Sequence, residues 1–220
     1  MLKFIKSILS PRPRTKTIDP SKILFTTPSI NDEIGEINLK VDASENCLIT
    51  HEDDWRSIEF VHQNHKELIE HEMKSVADIH NFHKQSLGWN KLHVRRLIRD
   101  PLAPVCIKID ELLNVLPGSK LMSGISYSGY RGAVDQGFAI STLAGMKFYG
   151  QTTANTNIAK CICIDPCPKV QDSSGANFVA HLTKFAVQHS LYLVCWNNLL
   201  VCDPSVKDFS YFFKSVQNAR

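Results

Sequence analysis

Residues 51–99 concentrate the side chains most able to do chemistry. Seven of the nine histidines lie there, together with Trp55 and Trp89. His62 and His65 are three apart, as are His80 and His83, and Glu67 and His71 are four apart. Such spacings place side chains on one helix face, and zinc sites use them. The helical zinc motif of metalloproteases reads H-E-x-x-H. Here His71-Glu72 is followed by Ser75 where the second histidine would stand, and His51-Glu52 by Trp55. Spacing therefore predicts a polar helix face, with no metal ligand set and no cofactor signature. A metal-dependent hydrolase using His, Asp and Glu of 51–83 is one alternative.

A second cluster precedes the helix. Glu52, Asp53 and Asp54 run into Trp55 and Arg56. Clustered carboxylates can raise one another's pKa or take a hard cation. Beside an exposed tryptophan they also make a contact patch for a basic protein. The expected partner-binding residues are Glu52, Asp53, Asp54, Trp55 and Arg56. The basic run Lys91, His93, Arg95, Arg96 and Arg99 is expected to neutralise the neighbouring acidic helix. A formal charge of +3 without a concentrated basic face does not point to nucleic acid.

Cys161, Cys163 and Cys167 form the densest thiol group, in CICIDPC. A nucleophilic cysteine would need a base such as His181 or His189. The β-prone, apolar setting instead predicts buried, protonated thiols. Seven cysteines, an odd number set mostly in apolar runs, fit a reducing compartment, so the expected localisation is cytoplasmic.

Tyr130-Arg131-Gly132, Ser141-Thr142 and Ala144 to Phe148 resemble the Tyr-Arg-Gly and Ser-Thr elements of ADP-ribosyltransferases. The resemblance implies that Arg131 meets NAD phosphates and that Ser141-Thr142 props the site. The family's later catalytic glutamate has no counterpart, because every glutamate lies at or before Glu111. What it implies is a degenerate NAD-binding fold, a second alternative.

These residues need elements to position them. Residues 1–22 read as a flexible basic segment with three prolines; Leu2, Phe4, Ile5, Ile8 and Leu9 could give residues 1–9 weak contact with a membrane surface. No apolar run reaches the length of a spanning helix. Residues 23–220 read as one α+β domain, with a two-lobe split near 100–118 left open. Strands are predicted at 23–28, around Ile37, Leu39 and Val41, at 47–50 and at 55–61. A long central helix is expected over about 65–86, opened by an Asn64/Glu67 capping box and striped by Leu68, Ile69, Met73, Val76, Ile79 and Phe82 or His83. Alternation continues through Leu92 and Val94.

A short helix is predicted from Asp110 to Leu116. Glycine-punctuated runs over 119–165 predict an antiparallel meander, and residues 166–177 a loop. A helix follows with Phe178, Leu182, Phe185 and His189 in line. Asn197-Asn198 turns a hairpin, and a last helix carries Val206, Phe209, Phe213 and Val216. The expected fold is thus antiparallel sheet with one long central helix and two helices in the C-terminal half. No constellation completes a catalytic set. The expected function is a non-enzymatic, protein-binding one, of inhibitor, immunity or adaptor type, acting through the polar surface of 51–99.

Overall fold

The computed structural model describes residues 19, 23–42, 45–116, 118–165, 172–204 and 206–218. The expected basic segment (Asp19 apart), its apolar stretch 1–9 and Cys167 lie outside the described residues.

In chain order the strands of the first half are β1 (Ser29–Asn31), β2 (Ile37–Asp42), β3 (Leu48–Thr50) and β4 (Ile58–His62). Helix α1 (Lys66–His83) is followed by β5 (Lys84–Gln85), β6 (Gly88–Trp89), β7 (His93–Arg95) and α2 (Ile109–Val115). Then come β8 (Lys120–Leu121), β9 (Ile125–Tyr127), β10 (Gly132–Val134), β11 (Gly137–Ser141), β12 (Lys147–Thr152) and β13 (Ala159–Ile164). Helix α3 (Asp172–Gln188), β14 (Leu191–Cys195), β15 (Leu200–Cys202) and α4 (Val206–Asn218) complete the chain.

A seven-stranded antiparallel sheet organises these pieces, in the order β15-β14-β4-β13-β12-β11-β8. Its middle contains β4, a first-half strand inserted between β13 and β14. Five residue pairs join β4 to β14, from Ile58 opposite Cys195 to His62 opposite Leu191, and Glu59 stands opposite Cys163 of β13. One sheet therefore draws on both sides of residues 100–118. The predicted meander is β11-β12-β13, and the predicted hairpin is β14-β15.

Side chains alternate between the two faces, as the pleat requires. Ile58, Phe60, Ile140, Phe148, Ile162 and Leu193 point to one face, where Leu112 of α2, Phe185 of α3 and Phe209 of α4 cover them. Each such aromatic side chain taken out of water contributes roughly 1.5–3 kcal/mol. The other face has two apolar patches. Tyr149, Cys161 and Cys163 pack under Trp55 and Tyr127, while Val61 and Val194 pack under Ile69 of α1, Ile98 and Trp196. Both faces are thus covered.

Several expectations change. Pairing over 23–28 amounts to a bridge between Phe25 and Trp89; the strand itself is β1, parallel to β7. Strand β9 leaves the meander to pair in parallel with β3. The run 55–61 enters its strand at Ile58, because Trp55 to Ser57 complete a turn. Helix α1 ends at His83, since Lys84 and Gln85 pair back onto Trp89 and Gly88. Its start uses no Asn64/Glu67 box: a 3-10 turn at Gln63–His65 precedes it, capped when His62 Nδ1 accepts from the Asn64 amide. Residues 172–177, read as loop, belong to α3. Among the described residues no helix is long and apolar enough to cross a membrane.

Candidate functional site

The acidic turn is a 3-10 helix at Glu52–Asp54, with His51 Nδ1 accepting from the Asp53 amide at 3.2 Å. Tyr149 donates its hydroxyl to the Asp54 carbonyl at 2.9 Å, fixing the turn to β12. The Trp55 ring then drops between Tyr127 and Tyr149, at 5.8 and 5.5 Å between centroids. An exposed Trp55 at a contact patch is therefore not what forms. Trp55 and Arg56 are buried, Trp55 by aromatic packing and Arg56 by an ion pair. Glu52, Asp53 and Asp54 stay at the surface, partly exposed.

Beneath the turn lies a buried ionic network that sequence reading missed. Glu59 is fully buried in the middle of the sheet. Arg56 Nε donates to its Oε2 at 2.6 Å and Arg56 Nη2 to its Oε1 at 3.3 Å. Trp196 Nε1 donates to Oε1 at 2.9 Å. Arg56 Nη2 also reaches the Ile98 carbonyl at 2.8 Å. Arg56 holds this position with φ of 56°, a conformation costing a non-glycine residue about 1–2 kcal/mol. Burial pulls its guanidinium pKa down, but the charge and hydrogen bonds of Glu59 more than reverse that.

Arg95 lies over the Trp196 ring, 4.9 Å from its centroid, and donates from Nη1 to the Arg56 carbonyl at 3.0 Å. Its burial lowers its pKa to about 10, against the pull of Glu59. Arg95 Nε and Nη2 are buried without a hydrogen-bond partner. Arg95 also lines a cavity of about 10 Å³ with Asn31, Glu59 and Glu72, about the size of one water.

Glu72 extends this network from the buried stripe of α1. His93 Nε2 lies 2.5 Å from its Oε2, and the Arg96 and Leu97 amides both donate to Oε1 at 3.0 Å. Burial pushes the Glu72 pKa up, but the His93 and backbone hydrogen bonds outweigh it and leave it lowered. Of the basic run, His93 meets the helix at Glu72 and the Arg96 backbone amide bonds the same carboxylate, while Arg95 turns to Glu59 of β4.

An open cleft of about 730 Å³ lies beside this network. The acidic turn gives it His51, Asp53 and Asp54; the start of β4 gives Ser57; α1 and the β5-β6 hairpin give His80, Lys84 and Trp89. Thr26 to Pro28 and Asn197-Asn198 close it. His80 Nε2 donates to the Asn197 carbonyl at 2.9 Å, and its ring meets the Trp89 edge. Lys84 Nζ sits 5.9 Å from the Trp89 ring centroid. Two residues that line it, Ser57 and Trp89, each bury a polar atom, Ser57 Oγ and Trp89 Nε1, without a hydrogen-bond partner. A second depression of similar size has Asp32, Glu33, Glu36 and Asp135 in its walls.

The remaining predicted sites do not assemble. His65 reaches the Asp100 carbonyl, His83 reaches Asn90 and His189 reaches Glu111. Among the described residues no three His, Cys, Asp or Glu side chains gather as a metal would need. Cys161 and Cys163 are both buried under Trp55. Burial pushes the Cys163 thiol well up, whereas a hydrogen bond from Cys163 lowers that of Cys161. Thr142 closes the β11-β12 turn through its hydroxyl and the Met146 backbone. Tyr130 packs edge-on to Tyr127, and Arg131 is exposed. Comparison with protein-family models, curated proteins and solved structures finds no match to this chain.

Proposed function

We propose that this chain is a non-enzymatic binding protein that recognises another protein through the cleft between the acidic turn, the β5-β6 hairpin and Asn197-Asn198. Inhibitors, immunity proteins and adaptors act through such surfaces. One observation carries the reading: the acidic turn holds Asp53 and Asp54 part-exposed on the wall of an open cleft that Lys84, His80 and Trp89 also line. Charged groups of both signs on one wall set the register and choice of a protein partner. Catalysis is less well supported. Ser57 has no base in hydrogen-bond reach, and His80 spends its Nε2 proton on a backbone carbonyl.

Affinity capture with the full chain, Asp53→Asn and Trp89→Phe tests this, with thermal melts confirming that each variant folds. The expected result is a stoichiometric partner protein that both substitutions weaken. A partner held equally by all three proteins would remove the cleft from the interface.

A further inference from the structure

The end of α1, the β5-β6 hairpin and residues 23–25 meet in one corner of the fold. Phe25 and Trp89 exchange both backbone hydrogen bonds, at 2.8 and 3.0 Å. The Asn90 amide donates to the His83 carbonyl at 3.0 Å, which holds the base of the hairpin to the last turn of α1. This corner is apolar and exposed. Leu87, in the hairpin turn, is 83% exposed and Phe82 75%. Ile23, Leu24 and Phe25 are exposed too, and Gly88 leaves the space that Leu24 and the Phe25 backbone take up. Apolar side chains gathered at the surface, rather than scattered, mark a contact face.

The segments that build the corner are basic without acid. Residues 20–31 and 79–99 contain no Asp or Glu, and Lys84 and Lys91 flank the hairpin, both exposed. The sequence before them, residues 1–18, holds Lys3, Lys6, Arg12, Arg14 and Lys16 and again no acid. The acidic neighbours are Asp78, one turn back along α1, and Asp53, which lines a hollow with Leu24 and Phe25. We propose that this corner docks on the surface of an anionic lipid bilayer. Phe82 and Leu87 enter the acyl boundary, and Lys84 and Lys91 meet the headgroup phosphates. Such a bilayer offers apolar depth and negative charge in the same place. Nucleic acid would supply the charge but no aliphatic layer to take up Leu87. A second copy of the chain would bring the same lysines against these, and like charges repel.

The test spins down the purified full chain with vesicles of phosphatidylcholine, and with vesicles in which phosphatidylserine replaces part of it. The expected result is binding to the second kind only, weakened by added salt. Phe82→Ser with Leu87→Ser should lower the partition coefficient about tenfold or more, and Lys84→Gln with Lys91→Gln about tenfold. All four side chains are exposed, so thermal melts should match those of the unaltered chain. Equal binding to both kinds of vesicle, binding that either pair of substitutions leaves unchanged, or no binding would overturn the proposal. A lipid-free dimer that Phe82→Ser with Leu87→Ser dissociates would overturn it as well, and would assign the corner to a second copy. No protein partner is present in this assay, so its outcome is independent of what the cleft recognises.

Discussion

The buried network and the open cleft share one short segment, residues 51–59, and treat polarity in opposite ways. On the inner side, Glu59 and Glu72 have hydrogen bonds to both carboxylate oxygens. On the outer side, Ser57 Oγ and Trp89 Nε1 are buried with nothing to bond. A folded chain that satisfies its deepest charges concentrates its stability there, and the proposed binding surface lies on the other side of the same segment. Arg95 is the exception: two of its nitrogens are idle inside the network, beside a cavity too small for anything larger than water.

Substitutions should separate the two regions, and the largest effect is expected at Glu59. Glu59→Ala strands Arg56, Arg95 and Trp196 Nε1, and removing one partner of a buried pair costs about 3–5 kcal/mol. Urea unfolding should show the midpoint collapse. A midpoint close to that of the unaltered chain would mean that the network contributes nothing net.

Glu72→Gln should cost less, about 1–3 kcal/mol, and should also change the response to acid. The Glu72 pKa is depressed in the fold. Its contribution is therefore present above its unfolded value of about 4.3 and is lost as pH falls through the folded value. His62 is also depressed, by burial and by the neighbouring His65, so stability should begin to fall below about pH 6.5. In Glu72→Gln the upper decline should persist and the lower one should flatten. A melting profile with both limbs unchanged would contradict this assignment.

The smallest effects belong to the cleft. Asp53→Asn removes no described side-chain hydrogen bond, and stability should move by about 0.5 kcal/mol or less; Ser57→Ala deletes a buried hydroxyl that has no partner and should leave the unfolding midpoint unchanged or raise it. A large loss in either variant would make the cleft a structural feature rather than a binding one.

Much of the scaffold was legible in the sequence because its signals are local. Glycine-separated β runs marked β11 to β13, Asn197-Asn198 marked the β14-β15 turn, and the 3.6-residue stripe marked α1. The network was not legible. In Ile58-Glu59-Phe60-Val61-His62 the alternation predicts Glu59 facing solvent, and it would do so in a sheet open on one side. Here α1, Ile98 and Trp196 cover that face. Glu72 lies on the buried stripe between Ile69 and Val76, where simple hydrophobic spacing gives a carboxylate no role. The acidic turn was found, but its neighbours were assigned to the wrong side. Tyr127 and Tyr149, which draw Trp55 inward, lie more than seventy residues away in the chain. Ser57 and Trp89 carry no sequence signal of their idle donors, because that depends on which distant groups fail to reach them.

The position of Glu59 also bears on how the sheet finds its arrangement. Strand β4 enters from the first half of the chain and must slot between two strands made later. A slip of one residue would turn Glu59 into the phenylalanine-rich layer under α3 and α4, and would turn Phe60 towards Arg95. Both moves are penalised at once, one as an unpaired charge and the other as a stranded cation. The partners of Glu59 come from residues 56 and 196, and those of Arg56 extend to residue 98. The ion cluster can close only when β4, β14 and the segment after α1 have all arrived in register. A single carboxylate thereby proofreads strand order, alignment and helix docking together.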